Sequence, residues 1–148
     1  MPVKRAGNKK NIMRRNAFTL VELLVVIVII ALLSSLVAPK IFGKLDNAKV
    51  KTTQTQMQML SQALDSFRLD VGRYPTTEEG LKILWVKNSP LKNWDGPYLP
   101  KPVKEDSWGN PYHYKQPGKD SNPYDLFSYG SDGKEGGSDD AKDLSVWE

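Results

Sequence analysis

Residues 14–39 read RRNAFTLVELLVVIVIIALLSSLVAP, and Glu22 is the one ionisable side chain between Phe18 and Ala38. A helix of about 20 residues, rising roughly 1.5 Å per residue, matches about 30 Å of hydrocarbon, so this run can cross a bilayer. A carboxylate deep in such a run costs about 2.5 kcal/mol or more, and a group held there at that cost usually has a partner and a role. The plainer alternative is that Glu22 lies close enough to the head groups to stay hydrated.

On the N-terminal side, residues 1–17 carry Lys4, Arg5, Lys9, Lys10, Arg14 and Arg15 and none of the chain's 17 acids. The net charge of +4 and the basic isoelectric point therefore belong to this tail. The rest is slightly acidic and offers no support for nucleic-acid binding by a folded part. Positive charge ahead of an apolar span holds the N-terminus in the cytoplasm and sends everything after Ala38 across the membrane. An ordinary secretory signal has small residues after its apolar region. Here the small residue, Ala17, comes before it, and Pro39, Lys40 and a helical pattern follow, so the apolar segment is expected to stay with the product.

On the C-terminal side the helical pattern continues to about Val71, interrupted by Pro39 and Gly43, where a kink or local melting is expected. Val50, Thr53, Met57, Leu60, Leu64, Phe67 and Val71 recur at alternating spacings of three and four. That stripe predicts an amphipathic helix with one buried face, packed as core, with a short coiled coil as the alternative. Gly72 supplies a stop. Thr76 and Glu79 form a capping box for a short helix to about Val86, with Leu81, Leu84 and Trp85 turned to the stem. Residues 88–123 are turns and extended connections that must bury Trp94, Tyr98, Trp108, Tyr112 and Tyr114. Strands are expected near 111–115, 124–129 and 144–147.

Ala17-Phe18-Thr19-Leu20-Val21-Glu22 resembles the processing site of type IV pilins and type II secretion pseudopilins. The resemblance implies cleavage between Ala17 and Phe18 by the prepilin peptidase, N-methylation of Phe18, and an assembly role for Glu22. One position departs from the pattern: the family places Gly before the cut, where this chain has Ala17. The new amine on Phe18 of an incoming subunit would neutralise Glu22 of its neighbour, a pairing that fixes register more than it adds stability. In this family the equivalent of Pro39 lies near a weak point of the stem. Asp95-Gly96-Pro97-Tyr98-Leu99 and Asp106-Ser107-Trp108-Gly109-Asn110-Pro111-Tyr112 are similar to the major pseudopilins of type II secretion.

Residues 129–143 form a loop of glycine and acid between two expected strands. Hard divalent cations take six to eight oxygens from carboxylates and carbonyls on a chain free to bend. The spacing matches no EF-hand, and composition alone leaves a metal site second to a solvated acidic turn. The resemblance reverses that order. It implies calcium held by the side chains of Asp132, Asp139 and Asp140 and the carbonyl of Tyr129, with the carbonyls of Ala141 and Asp143 as further ligands. Calcium would replace the disulfide that many pilins use, since this chain has no cysteine.

Two rival classes are weaker. An enzyme lacks support: the chain has no cysteine, one histidine (His113, read as structural), and neither Gly-x-Ser-x-Gly nor His-Glu-x-x-His. A type IV pilus subunit for adhesion, motility or DNA uptake would show a C-terminal Cys pair and a larger sheet. Lys82, Lys87, Lys92, Lys101 and Lys104 read as a solvated rim, not a nucleic-acid patch.

The expectation is an α+β chain with a pilin-like fold. It comprises a cleaved basic leader (1–17), a membrane and assembly helix (18–38), an amphipathic half of the stem (39–71) and a globular periplasmic part (72–148). As a pseudopilin it would be a non-enzymatic inner-membrane protein that polymerises with itself into a periplasmic pseudopilus. Minor pseudopilins and the inner-membrane secretion platform are the implied partners, and folded exported proteins the cargo.

Overall fold

The structure, a computed structural model, describes residues 2–7 and 16–148, with the backbone alone described at Asp140. Met1 and residues 8–15 of the expected leader lie outside the described residues. The chain divides into two compact units, Met1–Lys40 and Ile41–Glu148.

A single helix, α1 (Leu20–Val71), runs for 52 residues. Thr19 starts it: the Glu22 N–H donates to the Thr19 hydroxyl at 3.1 Å, and the Thr19 N–H donates to the Glu22 carboxylate at 3.0 Å. This reciprocal box satisfies backbone donors that a helix start otherwise leaves bare. Gly72 ends it with φ +86°, donating its N–H to the Arg68 carbonyl at 2.8 Å. Pro39 lies inside α1, and the helix is unbroken there. The local melting expected at Pro39 and Gly43 does not occur. Proline removes one donor, and the ladder on either side keeps its own bonds.

In the first unit, the large apolar side chains from Leu20 to Val37 are 47–88% exposed. The most apolar 18-residue stretch has a mean hydropathy of 3.0, long and apolar enough to cross a membrane.

In the second unit, α1 buries Thr53, Met57, Leu60, Ala63, Leu64 and Phe67, following the predicted stripe. Val50 and Val71 pack at its margins. Each fully buried large side chain contributes about 1.5–3 kcal/mol of transfer free energy. Against this face lie Leu81, Leu84, Leu99, Tyr112, Tyr124, Leu126 and Leu144. Of the five aromatics expected inside, Tyr112 is buried, and Trp94, Tyr98, Trp108 and Tyr114 pack half-buried at the edge. Tyr124 is fully buried, shares a 2.8 Å hydrogen bond with the Ser61 hydroxyl, and accepts the Trp147 indole N–H on its carbonyl at 2.7 Å.

The Thr76–Glu79 capping box forms, with bonds of 2.9 and 3.2 Å. The expected helix to Val86 does not. A turn over 77–80 leads instead into a short 3-10 helix, Leu81–Leu84. Gly80 explains the difference: its φ of +60° and ψ of −167° lie outside helical geometry. Leu81 and Leu84 still reach the core.

Three short strands form one antiparallel sheet in the order β1 (His113–Lys115), β2 (Asp125–Ser128), β3 (Leu144–Ser145). His113 pairs with Phe127, and Phe127 with Ser145. The strands fall where the sequence places them and are shorter, because prolines and glycines crowd both sides of each run.

Candidate functional site

Two regions carry the expected functional residues: the start of α1 and the loop between β2 and β3. Phe18 is 86% exposed, one residue before the cap, so the Ala17–Phe18 bond lies outside regular structure, immediately ahead of the helix. The Glu22 carboxylate is engaged by the Thr19 N–H through Oε2. A sequence signal for this contact exists, Thr-x-x-Glu before an apolar run. The sequence alone offers Glu22 as a charge awaiting a neighbour or as a hydrated acid near the head groups, and does not single out this contact.

The loop leaves β2 at Tyr129 and passes through two 3-10 turns, Gly130–Asp132 and Asp139–Ala141, which pack on one another. Glycine makes the close approach feasible: Gly137 has φ +100°, and a β-carbon there would collide with the Ala141 carbonyl. Asp139 itself adopts φ +52°, a region that aspartate tolerates better than most residues. Asp132 Oδ1 accepts the Lys134 N–H at 3.0 Å. Asp143 Oδ2 accepts the Gly136 N–H at 2.9 Å, tying the middle of the loop to its C-terminal end. Its Oδ1 is buried and has no hydrogen-bond partner among the described residues.

These observations test the donor set. The Asp140 side chain lies outside the described residues, and among the described residues no three His, Asp or Glu side chains converge. The chemistry nevertheless fits a hard cation: the donors are all oxygen, glycines let the chain bend, and a buried carboxylate oxygen has no partner among the described residues. That oxygen belongs to the side chain of Asp143, a residue the sequence suggested only through its carbonyl.

Beneath the loop, Asp106 is 6% exposed and accepts three hydrogen bonds. Burial, followed by the charge of Asp106, pushes the Tyr112 hydroxyl far above its usual range. His113 stacks on Phe127 with ring centroids 5.2 Å apart and leans on Tyr129 at 4.3 Å, a packing role.

Residues 40–147 match the family model of type II secretion system (T2SS), protein G. The chain belongs to this family. Residues 12–38 match the prokaryotic N-terminal methylation motif. The type II secretion system core protein G of Pseudomonas aeruginosa is 41% identical over 138 residues, covering 91% of this chain and 96% of that protein. Its counterpart in Vibrio cholerae is 38% identical over 141 residues, covering 93% and 95%. Among solved structures, the major pseudopilin from the type 2 secretion system of enterohaemorrhagic Escherichia coli superposes with a TM-score of 0.58 at 34% identity, covering 72% of this chain and 92% of that one. Protein G family membership makes this chain a structural pseudopilin and not an enzyme, as expected, and the long helix with its three-stranded sheet is the pseudopilin fold. The apolar start of α1 and the methylation motif suit an anchor in the inner membrane.

Proposed function

We propose that this chain is the repeating subunit of a periplasmic pseudopilus that drives folded proteins through an outer-membrane channel. The observation that carries the reading is the start of α1, an exposed apolar helix with one carboxylate at its tip, directly after the Ala17–Phe18 bond. The basic leader stays cytoplasmic, the apolar run crosses the inner membrane, and residues 72–148 lie in the periplasm. The prepilin peptidase removes residues 1–17 and N-methylates Phe18. Assembly then exchanges lipid for other copies of the same helix, and the Phe18 amine of an incoming subunit meets Glu22 of its neighbour. Thr19 holds that carboxylate meanwhile, limiting the cost of an unpaired acid in hydrocarbon. Minor pseudopilins and the inner-membrane platform are the partners; no nucleic acid is involved.

The loop after β2 takes calcium in this proposal, with Asp132, Asp139 and Asp140 as carboxylate donors and the Tyr129 and Ala141 carbonyls beside them. Asp143 joins through its unpartnered carboxylate oxygen. These donors come from both turns, so a bound cation would supply a tie between them in a chain that has no cysteine.

Mass spectrometry of the membrane-extracted protein tests the processing and the assembly reading together. A mature chain starting at N-methyl-Phe18, recovered in sheared fibres, is expected. An intact, dispersed 148-residue species in cells making the whole secretion machine would overturn it.

A further inference from the structure

Asp106 Oδ1 accepts the backbone N–H groups of Trp108 at 3.0 Å and Asn110 at 2.9 Å. Its Oδ2 accepts the Ser128 hydroxyl at 2.5 Å, across 22 residues of sequence. The Ser128 oxygen accepts the Gly130 N–H at 3.1 Å. The Gly130 carbonyl accepts the Asn110 side-chain amide at 3.0 Å, and the Asn110 N–H returns to Asp106. The ring is closed. The buried carboxylate is stabilised because each oxygen accepts a hydrogen bond.

The ring grips one turn. Both the N–H and the C=O of Gly130 are held by it. A β-carbon at Gly133 would lie 2.9 Å from Asn110 Oδ1, so the same side chain lies against the residue after the turn. Asn110 thus spans Gly130–Gly133, with Asp132 between its two contacts. On the opposite side Gly130 is closed in: a β-carbon there, at φ +71°, would lie 2.7 Å from the Lys142 carbonyl.

We infer that Asn110, fixed by Asp106, is a positioning residue that sets the turn bearing Asp132 before any cation arrives. The inference rests on the calcium reading of the loop. A glycine-rich loop ordered only on binding would incur its conformational entropy at that moment; a turn already fixed does not. Asn110 touches no cation in this account. It acts as outer partners of metal ligands do, by orienting a donor through the backbone that carries it.

The test uses the full chain in detergent micelles, as wild type, Asn110→Ala and Asp132→Ala. Two quantities are measured: amide hydrogen exchange without calcium, and calcium affinity by calorimetric titration with calcium chloride. In Asn110→Ala, exchange at 130–134 should rise while amides at 57–67 keep their protection, and calcium should bind about tenfold more weakly. Asp132→Ala should weaken calcium binding while the Gly130 amide stays protected. Unchanged exchange at 130–134 in Asn110→Ala overturns the inference whatever calcium does. Equal acceleration at 57–67 means general loss of the fold and overturns it too. If wild type takes up no calcium but the exchange result holds, the calcium reading falls, and the ring is a structural clamp only.

Discussion

Thr19 and Glu22 bind each other twice: the Thr19 N–H donates to the Glu22 carboxylate at 3.0 Å, and the Glu22 N–H donates to the Thr19 hydroxyl at 3.1 Å. One glutamate therefore has two tasks, opening the helix of its own subunit and, on the proposed reading, receiving the amine of the next. Glu22→Ala should still reach the membrane fraction, since the apolar run is untouched, but yield no sheared fibre. Thr19→Val keeps the charge and removes the cap, so fibre yield should fall less while the first turn loosens by about 1 kcal/mol. Normal fibre yield from Glu22→Ala would refute the pairing.

Calcium dependence has a single clean readout in the loop. Asp132→Ala should lower the melting temperature only when calcium is present, because the Lys134 N–H it leaves behind is exposed and can turn to water. Chelator-treated wild type and variant should melt together. An identical calcium response in the variant would remove Asp132 from the donor set.

The core face of α1 gives a paired stability test. Leu64 is fully buried and Leu69 is 86% exposed on the same helix. Leu64→Ala should cost about 2–5 kcal/mol in denaturant unfolding. Leu69→Ala should stay within about 0.5 kcal/mol of wild type. Equal losses would contradict the helix orientation.

Alkaline pH should unfold the protein through its tyrosines. Tyr74, Tyr98, Tyr112, Tyr114 and Tyr124, five of the six, have hydroxyls raised above their usual value, chiefly by burial. The unfolded chain ionises them near pH 10, whereas the folded chain keeps them neutral. Stability is therefore full below about pH 10 and declines as pH climbs from there toward the folded values. Melting temperature, followed with tyrosinate absorbance, checks this; ionisation of these five near pH 10 without loss of fold is the contrary outcome.

What the sequence disclosed follows from distance along the chain. The stripe from Thr53 to Phe67 was readable because helical spacing is local, and its buried positions agree with the structure. Thr76–Glu79 was readable for the same reason. Thr19–Glu22 carries the identical pattern and was hidden by the louder signal of an acid in an apolar run. Gly80 was legible as a glycine but not as the residue whose dihedrals end the turn early. The Asp106–Ser128 bond joins residues 22 apart, and the orphaned oxygen of Asp143 exists only once the loop has closed; neither leaves a periodic trace.

The greasy face of the stem finds its covers downstream of the helix. Met57, Leu60, Leu64 and Phe67 are sheltered by residues from Leu81 to Leu144, and Ser61 meets its tyrosine partner 63 positions downstream. A nascent or truncated copy ending before Leu81 would display a bare oily stripe over residues 57–67. Such a copy advertises its own incompleteness to any protease or chaperone it meets, so that only finished subunits would be left to enter a fibre.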